Sequence, residues 1–247
     1  MSDSPITESD TVKNINPRPL DGLRVIELGQ ILAGPFASAI LGYFGAKIIK
    51  IESPALGDPI RNWRTVKDGT SLWWWSLGRN KQSVTINLKT EAGQKIVRDL
   101  CRECDVLVEN FRPGVMESWN LGPENIKTVN PNLIYSRISG YGQTGPYSPR
   151  GGFDLIACGM SGLMSINGPP EGPPYRIPMP VSDVCGGMNG AIGILMALVA
   201  RDQTGLGQHV DTSLFEAGIS LGVYEAANVF ATGQVPERLG QAHRGSA

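Results

Sequence analysis

The sequence predicts an α/β fold in which a doubly wound, mostly parallel sheet carries helices on both faces. Three observations point there. Short Val- and Ile-rich runs alternate with segments of helical texture. The runs are apolar along their length, as strands covered on both faces are, instead of alternating apolar and polar. The first two runs enclose one helix within about thirty residues, the size of a strand-helix-strand unit.

Residues 23–28 (LRVIEL) form the first strand, which runs into Gly29-Gln30-Ile31-Leu32-Ala33-Gly34-Pro35. Pro35 suits the first position of a helix that continues to Phe44, where Gly45 stops it. Residues 46–52 (AKIIKIE) return as the second strand. The pattern then repeats: a strand over 83–88, a helix over 90–104 opened by Thr90, a strand over 105–110, a helix over 123–129 and a strand over 132–139. From Gly140 to Pro180 glycine and proline dominate, with one helix expected over 153–164; a loop region this long is usually functional. A buried helix follows over 183–201, then a turn at 204–207, a strand over 208–212 and a helix from Ser213 to Ala231. Residues 1–19 are expected to be a disordered tail, 20–232 one large domain, and 233–247 the start of a linker toward a small domain.

The organising stretch is RIPMPVSDVCGG, residues 176–187, where a lone carboxylate, Asp183, precedes a glycine pair and an almost uncharged helix. Asp183 is expected at the N-cap, where backbone N–H groups and the helix dipole favour a carboxylate. Two roles are open to it: a structural cap, or an ionised nucleophile beside small residues that leave room for a substrate.

Composition narrows the field. The chain has 247 residues, 41% of them apolar, enough for a real core, and a formal net charge of −1 that gives no pull toward nucleic acid or an anionic membrane. The apolar run over 191–200 is too short to cross a bilayer. Cys101 and Cys104 form one Cys-x-x-Cys with no second pair, and His209 and His243 are the two histidines, so no metal site is expected and reduced, cytoplasmic thiols are.

Several motifs fall away. Gly29-x-x-x-x-Gly34 lacks the Lys-Ser/Thr of a nucleoside triphosphate loop. Gly140-Tyr-Gly142-Gln-Thr-Gly145 matches a dinucleotide fingerprint, but Pro146 and Pro149 forbid the helix it should open. No Gly-x-Ser-x-Gly elbow is present. Carboxylates remain as the candidate catalysts. The tryptophans at 63 and 73–75 read as core packing or an interface, and Arg79, Lys81, Lys89 and Arg112 as local positive charges near strand ends.

Taken in order, LDGLRVIELGQILAGPF, GAKIIKIE, GDPIR, NKQSVTINLK, DVLVENFRPG, SGYGQTGPY, the Asp183 stretch and TGLGQHVDTSLFEA closely resemble the class III CoA-transferases of the CaiB/BaiF type, from about Pro19 onward. The resemblance implies a Rossmann-like large domain, a catalytic aspartate at Asp183, and coenzyme A contacts at Gln30, Ile31, Ala33, Ile86, Lys89, Asn110 and Phe111. It implies acyl-CoA and a small carboxylic acid as substrates, no permanently bound cofactor, and an interlocked homodimer. Leu32 and Ser53 depart from the formyl-CoA:oxalate type. An α-methylacyl-CoA racemase would carry a histidine where Phe153 stands, and phenylalanine cannot exchange protons. Family members are longer, so a non-catalytic CoA-binding half or truncated subunit is the alternative. Backbone N–H groups near Gly186-Gly187 or the Gly142 loop are the expected oxyanion donors.

Overall fold

The computed structural model describes residues 17–243 and 245. The tail expected over 1–19 falls outside them as far as residue 16, as do residues 244, 246 and 247.

Each strand expected from the sequence forms, within one to three residues: β1 (Arg24–Glu27), β2 (Lys47–Glu52), β5 (Lys81–Thr85), β6 (Val106–Glu109), β7 (Ile134–Ser139) and β8 (His209–Ser213). They pair in parallel in the order β5-β2-β1-β6-β7-β8, the order of a doubly wound dinucleotide-type sheet. Alternate side chains enter two cores. Val25, Ile48, Val108 and Ile138 meet α1 (Ala33–Tyr43), α7 (Val181–Thr204) and Leu214 on one face. Ile26, Leu28, Leu107 and Tyr135 meet α3 (Glu91–Glu103), Met116 of α4 (Val115–Ser118) and Ile126 of α5 (Pro123–Val129) on the other. Coverage on both faces fails at β5, an edge strand whose Val84 is exposed.

Other departures have local causes. Asp68 and Gly69 both take positive φ, and this Asp-Gly turn closes a small hairpin, β3 (Val66–Lys67) with β4 (Thr70–Ser71), absent from the expectations. Ser71 then caps a short helix through the tryptophans, α2 (Leu72–Leu77). The helix expected over 153–164 is α6 (Asp154–Met160). The helix expected from Ser213 breaks at Gly222 into α8 (Leu214–Leu221) and α9 (Val223–Thr232). The helix expected over 183–201 starts earlier and ends later as α7, so Asp183 is its third residue and not its cap; Pro180 holds the N-cap position. At 24 residues α7 is also longer than the apolar run suggested, and by length and composition alone it could cross a bilayer. It packs instead along α1, β7, β8 and α8, as the core helix of a sheet does.

Beneath the β1–α1 loop lies a water-excluded ionic network. Lys50 Nζ sits 2.6 Å from Glu27 Oε1, 2.8 Å from Asp58 Oδ2 and 2.8 Å from the Gly29 carbonyl oxygen to which it donates. Lys81 Nζ reaches Glu27 Oε2 at 2.7 Å and donates to the Pro35 carbonyl, and Ser38 Oγ donates to the same carboxylate. Burial alone would raise the pKa of Glu27, but the two ammoniums hold its carboxyl below the ordinary range. Burial likewise works against charged Lys50, and the two carboxylates keep it protonated.

Removing the central cation leaves the buried Asp58 carboxylate without its ammonium and Glu27 with Lys81 alone. Lys50→Met is expected to lower the unfolding free energy by about 3–5 kcal/mol in denaturant titrations. Lys95→Met, which breaks the exposed Lys95–Asp99 pair, should cost under about 0.5 kcal/mol. Equal losses would remove the network from its structural role.

Candidate active site

Where the strand order reverses, between β1 and β6, the two outgoing loops diverge and leave a crevice at the carboxyl edge of the sheet. The sequence holds this crevice open with few atoms. Asn110, leaving β6, accepts the Gln30 N–H on Oδ1 at 2.7 Å and donates Nδ2 to the Gln30 carbonyl at 2.9 Å, a two-bond clamp across the switch point. Gly29 and Gly34 permit this approach, since a Cβ on either would lie 3.1–3.2 Å from the Asn110 side chain. Ile31 takes φ +66°, a left-handed conformation costly for a β-branched residue, and its N–H points at both Asp58 oxygens, 3.1 and 3.2 Å away. On the β6 side, Phe111 donates its N–H to Glu109 Oε2 at 2.7 Å, while Arg137 grips the other oxygen at 2.8 Å. Burial pushes the Glu109 carboxyl up to about 7 despite Arg137.

The other wall is α7, brought close by glycine. A Cβ on Gly187 would strike the Ala33 carbonyl oxygen at 2.7 Å, on Gly186 the Leu214 side chain at 2.8 Å, and on Gly190 Ile138 at 2.7 Å. Contact at these three positions seats α7 against α1, β7 and α8. Gly186 and Gly187 are also the sixth and seventh residues of α7, past the first four whose N–H groups a helix leaves unpaired, which corrects their expected service as oxyanion donors. Asp154 Oδ1 accepts the Ser182 N–H at 2.8 Å and fixes the first turn. Asp183 then projects into the crevice.

The cleft so formed measures about 290 Å³ and is lined by Gln30, Ile31, Ala33, Asn110, Phe111 and Asp183, with Ser139, Gly140, Arg112, Arg150 and Phe153 completing its wall. Five of the seven expected coenzyme contacts therefore meet the expected nucleophile. Ile86 and Lys89 do not. Ile86 is buried in the second core, and Lys89 lines a separate depression of about 510 Å³ with Arg98 and Asn120. Ser139 and Gly140 reach the cleft wall; Gly142 does not.

Asp183 is partly buried, and its carboxyl accepts no hydrogen bond from the described residues. Burial, then the nearby Asp154 charge, pushes it up to about 7 from 3.8. The expectation that helix N–H groups would favour its charged form is thus corrected: desolvation wins. The Cys-x-x-Cys is no rival centre. Burial raises the Cys101 thiol to about 12 and Cys104 to about 11, leaving both inert at neutral pH. Among the described residues no His, Cys, Asp and Glu side chains gather as a metal site would require. Asp58 and Asp154, which place the loop and the helix, were not singled out from the sequence. The Gly-Asp-Pro turn was the signal for the first; nothing local marks the second.

The model of CoA-transferase family III matches residues 20–247. The chain is 45% identical over 225 residues to succinyl-CoA–D-citramalate CoA-transferase of Chloroflexus aurantiacus, covering 91% of this chain and 56% of that protein. It is 40% identical over 229 residues to human succinyl-CoA:glutarate CoA-transferase, covering 92% and 52%. The crystal structure of a CaiB/BaiF family protein from Brucella suis superposes with a TM-score of 0.88 at 40% identity, covering 92% of this chain and 61% of that one. The chain thus spans about half the length of the curated relatives it matches. On the sheet order, the cleft and these likenesses together, the chain belongs to CoA-transferase family III.

Proposed function

We propose that this chain carries the CoA-binding and nucleophilic part of an enzyme that moves coenzyme A from an acyl-CoA to a carboxylic acid, with Asp183 as the group that holds the acyl unit in transit. The observation that carries this reading is a carboxyl with no hydrogen-bond partner among the described residues, set in the switch-point cleft. Succinyl-CoA as donor and a short dicarboxylate as acceptor are favoured by the substrates that the relatives from Chloroflexus aurantiacus and Homo sapiens are named for.

The chemistry follows from a carboxylate held against a thioester. Asp183 attacks the acyl carbonyl; the C–S bond breaks and the thiolate leaves, giving a mixed anhydride. The thiolate adds to the Asp183 carbonyl and expels the donor acid, leaving an aspartyl-CoA thioester. The acceptor carboxylate attacks that thioester to form a second anhydride. The thiolate then takes the acceptor acyl group and frees Asp183. Gln30, Ile31, Ala33, Asn110 and Phe111 would hold the coenzyme in reach, and no resident cofactor takes part.

The length comparison favours a second reading, in which this polypeptide is a CoA-binding half that turns over only with a complementary segment. Steady turnover by the isolated 247-residue chain would discard it. A homodimer is also part of the proposal. The outer face of α7 exposes Met188, Ile192, Met196 and Val199, and α9 exposes Tyr224 and Phe230, surfaces that a second chain or the remaining polypeptide would cover. Four free cysteines fit a reducing, cytoplasmic setting.

Asp183→Ala should cut exchange at least about a thousandfold while the dissociation constant for free coenzyme A stays within about threefold; retained turnover contradicts the assignment. Because only the ionised form attacks, the first-order rate should fall as pH drops through about 7. Stability runs the opposite way. Asp183 binds its proton more tightly folded than unfolded, so its contribution is fully present below 3.8 and is lost as pH rises through about 7. Asp183→Asn should therefore unfold at higher denaturant than wild type at pH 8, with the gain gone at pH 4; the reverse order would show that the carboxyl is well solvated.

A further inference from the structure

Arg112 and Arg150 line the same cleft as Asp183, and among its lining residues these three are the charged ones. The buried and half-buried arginines beside the sheet have carboxylate partners: Arg61 pairs with Glu52, and Arg137 with Glu109 and Glu117. Those at the cleft do not. Among the described residues neither Arg112 nor Arg150 has an ion pair or a side-chain hydrogen bond; both are exposed, and each rests against one neighbour. Arg150 lies 4.4 Å from the Tyr147 ring centre. Arg112 lies flat on Gly151, where an added Cβ would come 2.7 Å from Nη2, 3.0 Å from Cζ and 3.1 Å from Nε. Near-equal distances to three guanidinium atoms mean that the plane faces the glycine, and any larger residue at 151 would displace it.

Resting on the transfer reading above, we propose that Arg112 and Arg150 form a subsite for the far carboxylate of a dicarboxylic substrate, the end that does not react at Asp183. A guanidinium binds a carboxylate through two parallel N–H···O bonds, and a pre-set plane loses little freedom in doing so. The cleft's local excess of positive charge contrasts with the chain's net −1. A monocarboxylate meets Asp183 with one end and leaves both cations unused; a four- or five-carbon diacid uses both ends.

This wall is joined to the element that carries Asp183. Arg150 and Gly151 lead through Gly152 and Phe153 to Asp154, whose Oδ1 accepts the Ser182 N–H at 2.8 Å. The arginine wall is therefore braced against the helix that carries the nucleophile. Gly152 also abuts Gly140 so closely that a Cβ on it would fall 2.6 Å from the Gly140 Cα, which leaves the wall little room to shift.

The test compares Arg112→Gln, Arg150→Gln and the double variant with wild type, using glutarate and valerate as acceptors of equal chain length. The ratio of kcat/KM for glutarate to that for valerate should fall at least tenfold in the double variant, and Arg112→Lys, which keeps charge but loses the fork, should fall between. Calorimetric titration with glutarate alone and with free coenzyme A separates the sources of anion. Weakened glutarate binding with coenzyme A affinity kept within threefold supports the subsite. An unchanged ratio, or coenzyme A affinity falling in step, overturns it and in the second case assigns the guanidiniums to phosphate. If wild type binds glutarate through these arginines but transfers nothing, the subsite stands and the transfer reading falls; if wild type neither binds nor transfers, the subsite falls as well.

Discussion

The geometry of the cleft depends on one carboxylate, Asp58, that is not among its lining residues. Asp58 receives the Ile31 N–H on one side and the Lys50 ammonium on the other, both inside the fold. A β-branched residue at positive φ costs of order 1–3 kcal/mol, and the surroundings must over-determine it to keep it there. Here they do, since the same ammonium is tied to Glu27 at the end of β1 and to the Gly29 carbonyl at the start of the loop. Strand end, loop and the 3₁₀ turn at Pro59–Asn62 are thereby locked through one cation. A network of this kind is poor value as stability alone, because its charges are desolvated. Its return is a loop whose backbone faces the cleft in one conformation.

Asp183, the proposed nucleophile, is placed by a different device. Small residues let α7 approach α1 and β7 at backbone distance, and Asp154 ties down its first turn. The approach that brings Asp183 to the cleft also strips water from it and places it near another carboxylate, so its affinity for a proton rises. A more basic carboxylate is a better nucleophile but is charged for a smaller share of the time at neutral pH. Desolvation thus raises reactivity and lowers the population of the reactive form together. On the proposed reading, the guanidiniums in the same cleft would draw in a diacid that the ionised Asp183 alone would repel.

The sheet was legible because its information is local and periodic: each strand is a short apolar run, and a chain of strand-helix repeats leaves few ways to order them. The Gly-rich loop at 29–34 and the carboxylate at 183 were legible as oddities in otherwise regular texture. What escaped depends on contacts between distant parts of the chain. Asp183 looks like a cap because a proline loop precedes it, but the helix begins two residues earlier, where Asp154 takes the Ser182 N–H from 28 positions away. Ile86 and Lys89 follow the neighbouring edge strand, where Ile86 is buried and Lys89 lines a separate depression, a placement that the sequence alone does not give. Arg112 was visible as a charge; that it lacks a partner and rests on Gly151 can only be seen once the loops have come together. The Asp68-Gly69 hairpin and the Gly-Asp-Pro turn at Asp58 were local signals passed over.

If Asp183 takes the acyl group and later releases it, one oxygen of the acceptor carboxylate must stay behind on Asp183 in each turnover, because the second anhydride is opened at the acceptor's carbonyl. A single turnover with acceptor labelled by heavy oxygen, followed by mass spectrometry of the peptide containing Asp183, reads this directly. The account predicts one labelled oxygen in that peptide, located on Asp183. Product formed at the normal rate with an unlabelled peptide would mean direct attack of acceptor on the thioester, and would contradict it.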